Sequence, residues 1–431
     1  MHRKIIDNRD GKFVLVVASI LIWLAIILLF VTYGYEKTWQ LWKVPTEMPP
    51  FVDFRHIPGS AESFLRGFEP TVENPYDPRE RPFNYPMFWR LFFYSGITQD
   101  HVIGISTGMI VLFFISVFLF PQNLTIHGAF WMLLVVFSPA CMLLYERGNV
   151  DLVVFALCVA IILAGSYSTY LAGLLLMAGI VIKLFPFFGV SVLLKESKTK
   201  FLGLFAACLG VLLFYVTLTW ESVTASWTLT RRGRFISYGS NVFFHRYEQN
   251  FFPALSSWFT NVQAEQILKY GPIALAVLLI LIAGILGLRN QDSPSVSSER
   301  NLAAFRMGAS IYVGTFLLGN NWDYRWAFLI LVIPQLLEWS YSANRRYRYI
   351  AVFNLFAILA SCWHFIFWYS PSLNFFEGSQ EVWFVIDEII NWMLVPGLAY
   401  LLFASFPDWV KNQLSWMPTK RMTTSLSQVE D

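Results

Sequence analysis

Most of this sequence is apolar, and its charged side chains are concentrated in a few short segments. The first of these, residues 49–86, holds carboxylates that could act as a general base, because a positioned carboxylate can take the proton of a hydroxyl group. Its candidate site residues are Asp53, Arg55, His56, Asp77 and Tyr85. The residue types of this segment therefore predict proton-transfer chemistry.

A second polar segment, residues 146–151, places an acid, a base and another acid in one short turn. Its candidate site residues are Arg147, Asn149 and Asp151. One interpretation is structural, with Asn149 as the N-cap of the next helix and Asp151 in that helix's first turn. That interpretation leaves the crowding of opposite charges unexplained, so the turn stays a candidate site.

Lys183 is an isolated cation inside an apolar stretch. A lysine at membrane depth costs about 2.5–3.5 kcal/mol on insertion scales, so it needs an anion or a cavity. It either reaches the membrane interface or pairs with Asp151, or it binds the phosphate or carboxylate of a ligand. The last alternative would make Lys183 a binding residue.

Two further segments contribute cations and hydrogen-bonding groups. In the turn 319–325, Asp323 and Arg325 either pair with each other, or Arg325 faces a bound anion beside Asn321. The loop 221–270 is either a solvated basic loop or a site for an anionic headgroup. Its candidate residues are Arg231, Arg232, Arg234, Asn241 and His245.

The residue patterns of several common sites are absent from the sequence. The six histidines show no HExxH spacing, and there is no GxSxG or phosphate-binding P-loop pattern. The cysteines lie within apolar runs without paired spacing, which indicates packing. These cysteines are Cys141, Cys158, Cys208 and Cys362. We expect no metal, no cofactor, no disulfide and no nucleic-acid partner.

The polar segments must be positioned by helices in a membrane. Hydrophobic residues make up 56% of the 431 residues and charged residues only 14%, against about a quarter in soluble domains. Apolar runs of nearly twenty residues predict bilayer-spanning helices. The predicted fold class is an all-α polytopic membrane protein with ten full spans. These are 13–33, 102–120, 126–145, 151–166, 202–220, 271–288, 303–319, 325–341, 347–369 and 383–405.

Residues 170–194 decide the predicted topology. A single crossing would put the lysines of 195–200 outside, against the positive-inside rule. Because the run breaks at the Lys183-Leu184-Phe185-Pro186 sequence, we predict a broken helical pair that enters and returns. Both termini are then cytoplasmic, in a cell membrane, and the polar segments face outside. We predict one transmembrane domain over 1–410 and a cytoplasmic tail over 411–431. Outer loops are predicted at 34–101, with juxtamembrane helices, and at 221–270.

The polar segments resemble, in order and spacing, the GT-C glycosyltransferases of glycosyltransferase family 87. This family includes polyprenyl-phosphate-mannose-dependent mannosyltransferases. The matching pieces are Asp53-Phe54, Gly67 through Asn74-Pro75-Tyr76-Asp77, Phe83-Asn84-Tyr85-Pro86, Gly148-Asn149-Val150-Asp151, Ala172-Gly173-Leu174 with Lys183-Leu184-Phe185-Pro186, and Asn321 with Asp323-Tyr324-Arg325. They span most of the chain from about 13 to 340.

The resemblance implies the GT-C fold and a metal-independent, inverting sugar transfer on the outer face. The donor would be a polyprenyl-phosphate sugar and the acceptor a glycan or glycolipid, both bound beside membrane lipids. Asp53 would be the base, and Lys183, Arg325 and Arg232 would bind the donor phosphate.

Two departures from the family pattern keep other roles open. A segment inserted at Trp39–Pro50 lengthens the lead-in to Asp53, so Asp77 or Glu47 could be the working acid, or Asp53 could only cap a loop helix. Met87 replaces the second proline of the usual YPP sequence. A secondary transporter or flippase for an anionic or lipid-linked substrate is the alternative function, because intramembrane charges and broken helices also occur there.

Overall fold

The computed structural model describes residues 10–229, 235–290, 296–369 and 379–412. Predicted features at Arg231, Arg232, Arg234 and most of the tail lie outside these residues. The described residues form nineteen α-helices, four 3-10 helices and two short strands.

The α-helices, in chain order, are α1 (Gly11–Tyr33), α2 (Tyr35–Leu41), α3 (Val52–Leu65), α4 (Val102–Leu119), α5 (Ile126–Val136), α6 (Pro139–Arg147), α7 (Asp151–Gly165), α8 (Thr169–Ile182), α9 (Lys198–Leu218), α10 (Trp220–Leu229), α11 (Val242–Arg246), α12 (Glu248–Ser256), α13 (Asn261–Leu288), α14 (Glu299–Leu317), α15 (Ile333–Ser340), α16 (Arg345–Trp363), α17 (Phe365–Tyr369), α18 (Ser379–Ala404) and α19 (Asp408–Lys411). The 3-10 helices are Met87–Tyr94, Gln99–His101, Phe185–Lys195 and Asp323–Val332. The strands are β1 (Ser237–Tyr238) and β2 (Asn321–Trp322).

The helices confirm an all-α polytopic membrane protein. Among the described residues, six helices are long and apolar enough to cross a membrane, or up to seven if a bent pair forms one span. The six are Gly11–Tyr33, Gln99–Leu119, Lys198–Leu218, Asn261–Leu288, Arg345–Tyr369 and Ser379–Ala404. In the bent pair, α5 and α6 meet at 55°, at the place where a single span over 126–145 was predicted.

The remaining predicted spans have shapes that hydropathy alone does not reveal. The segment predicted at 151–166 is α7, whose 15 residues extend only about 22 Å at 1.5 Å per residue. The segment predicted at 325–341 is a 3-10 helix followed by the short α15. The predicted span at 303–319 lies in α14, which is buried on nearly all sides. Because the described residues contain six or seven helices that could cross a membrane, the count of ten spans stays a prediction.

The structure confirms the predicted break in 170–194. Helix α8 ends at Ile182, Lys183 has extended backbone angles, and a 3-10 helix begins at Phe185 with Pro186 in its first turn. The chain then returns, because Thr169, at the start of α8, donates a hydrogen bond to Glu196. The two arms therefore form a hairpin whose tip carries Lys183.

A central layer of buried elements supports this tip. Helix α14 packs against both the Phe185–Lys195 and the Asp323–Val332 helices. Trp326 in the latter is completely buried. Strands β1 and β2 pair antiparallel, with Ser237 opposite Trp322 and Tyr238 opposite Asn321, so they join the turn before Arg325 to a loop about eighty residues earlier. This layer places the hairpin tip and the Asn321–Arg325 turn side by side.

The first polar segment folds into a compact unit around α3. Gly59 on this helix touches the backbone at 76–77 so closely that an added Cβ would lie 2.7 Å from the Tyr76 carbonyl oxygen. Asn74 is buried there and hydrogen-bonds to Ser60 and Ser63 of α3. This packing fixes the end of the segment against the helix that carries Asp53.

Candidate functional site

Asp53 lies in the first turn of α3, after Phe51 in a left-handed backbone conformation. Its Oδ2 accepts a hydrogen bond from Asn149 Nδ2 at 2.8 Å, and its Oδ1 lies 3.3 Å from an Arg81 guanidinium nitrogen. The side chain is 19% exposed, so a small molecule can reach it. Asp53 is therefore a fixed but accessible carboxylate, as a general base must be.

Asp77 holds the Arg81 guanidinium in place through hydrogen bonds. Its carboxylate accepts two hydrogen bonds from the Arg81 guanidinium at 3.0 Å and further bonds from the backbone N–H groups of Arg79 and Arg81. Burial raises the pKa of Asp77, but hydrogen bonds from His56 and Arg81 lower it more, so its net pKa lies well below the usual value. Asp77 is an ionised anchor with its oxygens occupied.

Asn149 follows Gly148, which ends α6 in a left-handed conformation. Its Oδ1 accepts a bond from the Asp151 backbone N–H at 3.0 Å and lies 3.4 Å from Lys183 Nζ. Its Nδ2 donates to Asp53 and, at 3.1 Å, to the Tyr324 hydroxyl. The carboxamide is only 3% exposed, so these four contacts hold it on both sides.

Asp151 binds two of the three cations predicted for the site, Lys183 and Arg325. Lys183 Nζ lies 2.5 Å from Oδ1 of Asp151, and Arg325 Nε lies 3.2 Å from Oδ2. The Asp151 carboxylate is fully buried, while the lysine and arginine side chains are 12% and 17% exposed. Lys183 and Arg325 therefore share one buried carboxylate as their counter-charge and stay partly exposed.

Two cavities meet at this cation pair. The polar cavity, of about 260 Å³, is lined by Asp53 and charged or aromatic side chains. The apolar cavity, of about 520 Å³, has eight leucine, valine and phenylalanine residues among the nineteen that line it. Asn84, Pro86, Lys183 and Arg325 line both. The site therefore joins a polar compartment to an apolar one across two cations.

The walls of the apolar cavity come from the returning hairpin arm, α9, α10 and the loop after β1. Phe187 and Phe188 lie on the hairpin arm, and Leu212 and Val223 lie on the two helices. Arg246, from α11, makes a two-pronged ion pair with Glu381 of α18 and stacks 3.6 Å from the centre of the Phe235 ring. This ion pair attaches the loop to α18.

The structure gathers most of the predicted site residues. Asp53, His56, Tyr85, Arg147 and Asn149 line the polar cavity, and Asn241, His245 and Asn321 line the apolar one. Arg55, Asp77, Asp151 and Asp323 line neither. Arg232 lies outside the described residues.

Two predicted arrangements differ in the structure. Asp323 and Arg325 do not pair with each other, because residues two apart on this helix point to different sides. Arg325 pairs with Asp151, while Asp323 is turned away, 3.6 Å from His364 Nε2. Arg55 is bound to the Pro50 carbonyl and Gln99 instead of the cavity.

Glu47, the other alternative acid, bridges two arginines at the wall of the polar cavity. Its carboxylate lies 2.9 Å from Arg79 and 2.8 Å from Arg147. The inserted segment Trp39–Pro50 thus joins the end of α6 to the end of the first polar segment. Asp77 lines neither cavity, and Glu47 lines the polar one with its carboxylate bound to two arginines. Asp53 lines the polar cavity and hydrogen-bonds to Asn149, which also contacts Lys183.

Sequence reasoning missed Arg81 and Tyr324 as site residues. Arg81 lies four residues after Asp77 and so could have been paired with it, but nothing in the sequence placed its guanidinium beside Asp53. Tyr324 lies within a turn already singled out, between two charged residues. Its hydroxyl contacts Asn149, a contact that requires the tertiary fold.

Among the described residues, no group of three or more His, Cys, Asp or Glu side chains could hold a metal ion. The cations Lys183 and Arg325 suit a phosphate, which binds charged hydrogen-bond donors strongly.

Comparison of the chain with protein-family models, curated proteins and solved structures found no match. The resemblance to glycosyltransferase family 87 therefore stays a prediction.

Proposed function

We propose that the protein is a membrane glycosyltransferase. It would move a hexose or pentose, mannose first among them, from a polyprenyl-phosphate sugar to a lipid-linked or cell-envelope glycan. The observation that carries the proposal is the meeting of a polar and an apolar cavity at Lys183 and Arg325, with Asp53 in the polar one. A donor with a lipid tail and a sugar head needs both compartments.

The donor's polyprenyl tail would occupy the apolar cavity and its phosphate the cation pair. Arg325 lies 5.0 Å from the centre of the Phe185 ring, so apolar and cationic surfaces are adjacent at this point. One buried carboxylate serves two cations, which leaves about one positive charge for a ligand. Charged donors aimed at a leaving phosphate stabilise the charge that develops on it.

The acceptor would enter the polar cavity and present a hydroxyl group to Asp53. The hydroxyl oxygen forms a bond to the anomeric carbon and gives its proton to Asp53. The bond from that carbon to the phosphate oxygen breaks, and its electron pair stays on the phosphate. Base and leaving group then lie on opposite sides of the sugar carbon, which gives inversion.

The wider assignments belong to the same proposal. They are the GT-C fold, about ten spans, a cell membrane with both termini cytoplasmic, and a site that faces outside. The support is the convergence of residues 53, 149, 183 and 325 from four predicted outer segments on one place in the structure.

A transfer assay tests the proposal. Purified protein in nanodiscs receives farnesyl-phosphate mannose, tritium-labelled in the sugar, and a glycolipid extract as acceptor. We expect labelled glycolipid from wild type and a loss of at least about 10²-fold for Asp53→Asn. Glu62→Gln on the exposed side of the same helix is the control and should transfer as wild type does. Full activity of Asp53→Asn would overturn the role of Asp53.

A transporter or flippase remains a second candidate, because a lipid-linked substrate could also cross between adjoining polar and apolar cavities. Proteoliposomes separate the two functions. Movement of farnesyl-phosphate mannose between leaflets, without any labelled glycolipid, would favour the second candidate and reject the transferase.

A further inference from the structure

Asn149 lies between the residue proposed as the base and a residue proposed to bind phosphate. Its Nδ2 is 2.8 Å from Asp53 Oδ2, and its Oδ1 is 3.4 Å from Lys183 Nζ. One side-chain amide therefore touches both ends of the proposed reaction.

The orientation of this amide follows from its surroundings. The two ends of an asparagine amide are assigned from hydrogen-bond partners, and here the Asp151 backbone N–H can only donate. The oxygen must therefore face Asp151, at 3.0 Å, and the NH₂ group must face Asp53 and Tyr324. In a flipped amide, the NH₂ group would face two other donors, the Asp151 N–H and the Lys183 ammonium group. The amide oxygen would face the Asp53 carboxylate and the Tyr324 hydroxyl, the two groups that now accept from the NH₂ group.

The residue directly before α7 is Val150, which makes no side-chain cap, and Asn149 Oδ1 instead accepts the N–H of Asp151, the first residue of the helix. This bond does the work of the cap that the sequence predicted for Asn149, from one position earlier. A cap uses only the side-chain oxygen, and aspartate or serine can supply that oxygen equally well. The NH₂ group adds nothing to the cap. Its bonds to Asp53 and Tyr324 require asparagine itself, or another donor of the same length.

We propose that Asn149 is a positioning residue that holds Asp53 and Lys183 in one fixed relation, so that proton removal and phosphate departure act on the same bound sugar. This inference rests on the proposed glycosyl transfer. Asn149 exchanges no proton. It directs one Asp53 oxygen, and it accepts a hydrogen bond from one of the three N–H groups of the Lys183 ammonium group.

Each end of the Asn149 amide restricts one charged group of the site, Asp53 at the NH₂ end and Lys183 at the oxygen end. Asn149 holds Oδ2 of Asp53 and Arg81 lies beside Oδ1, so both carboxylate oxygens are held while the side chain lines the polar cavity. Two N–H groups of the Lys183 ammonium group donate hydrogen bonds to Asp151 and Asn149, so the third is left to donate to a phosphate oxygen. Misplacement of reacting groups by about 1 Å can reduce a rate by about 10²-fold.

Two substitutions separate this role from a helix cap. Asn149→Asp keeps a capping oxygen but puts a second carboxylate 2.8 Å from Asp53, where the two would share a proton. The acid side of the pH–rate curve should move to higher pH by about one unit or more. Asn149→Ser also keeps the cap but reaches neither charge. It should lower kcat by about 10²-fold with little change in the KM for the donor.

The assay uses the full-length protein in nanodiscs with farnesyl-phosphate mannose and a glycolipid extract, over a range of pH. Asn250→Asp, at an exposed position outside both cavities, is the matched control and should reproduce the wild-type curve. Size-exclusion profiles check folding. If Asn149→Asp does not fold, the kcat of Asn149→Ser decides.

The outcomes are distinct from those that test the transfer itself. An active wild type with unchanged pH–rate curve in Asn149→Asp and unchanged kcat in Asn149→Ser would overturn this inference and leave the transferase standing. A wild type that transfers no sugar would overturn the proposed function and this inference with it.

Discussion

Replacing Asp151 by asparagine removes the one carboxylate that, among the described residues, pairs with both Lys183 and Arg325. Two neighbouring cations, each mostly buried, would then lack a counter-charge. Breaking a buried ion pair from one side typically costs about 3–5 kcal/mol, because the partner charge stays buried and unpaired. At ~2 °C per kcal/mol, the expected fall in Tm is about 6–10 °C.

A lipid phosphate should reverse part of this loss. In Asp151→Asn the phosphate would take the place of the missing carboxylate, so farnesyl phosphate should raise Tm more in the variant than in wild type. At a hundredfold excess over Kd a ligand adds about 2.7 kcal/mol, which offsets between about half and nine-tenths of the expected loss. Tryptophan fluorescence during heating in nanodiscs, with and without farnesyl phosphate, measures both effects.

Two further variants test the physical reasoning. Glu62→Gln removes an exposed ion pair with Arg66, which is worth at most about 1 kcal/mol, so its Tm should fall by no more than ~2 °C. Lys183→Met added to Asp151→Asn removes one of the repelling cations and should restore stability. A single Asp151→Asn variant as stable as wild type, or a double variant less stable than the single one, would refute the description of these residues as a buried charge cluster.

Two other predictions concern the support of Asp53. The pKa of Asp77 is lower in the folded than in the unfolded chain, so its stabilisation is complete above about pH 5 and is lost as pH falls below about 4. Asp77→Asn should lower stability by about 1–3 kcal/mol at pH 7 and flatten the acid side of the Tm–pH curve; an equally steep curve would contradict this. Gly59→Ala should destabilise by about 1–3 kcal/mol, because the new Cβ meets backbone at 76–77, whereas Gly104→Ala, with open space around it, should be neutral or stabilising in thermal unfolding. Equal effects of the two alanines would contradict the close packing at Gly59.

The break at Lys183 was predictable because proline and the distribution of basic residues act locally. The proline ends the helix, and the lysines at 195–200 require the chain to return. The pairing of Lys183 with Asp151 was open in the sequence, beside the alternative of ligand binding. The structure gives Lys183 both the ion pair and a place in the two cavity walls, so these alternatives do not exclude each other.

The span assignments show what apolar composition cannot decide. Helix α7 is apolar and mostly enclosed by protein, whereas α13 is apolar although much of its surface is exposed. Apolar composition alone does not distinguish the two. The place of Arg81 beside Asp53 also escaped the sequence, because it depends on the packing of α3 against the turn at 76–77.

The pairing of β1 with β2 has a consequence for how the chain matures during synthesis. Residues 53, 149, 151 and 183 leave the ribosome early and can form the first ion pair among themselves. Arg325 and the β2 strand are synthesised about 140 residues after Lys183. The β2 strand then pairs with β1, which ends at residue 238, and Arg325 pairs with Asp151. A chain interrupted before residue 320 would therefore contain both partners of the Asp151–Lys183 pair but lack Arg325 and the β2 strand. Early release of the nascent chain would yield a membrane-inserted but incomplete protein.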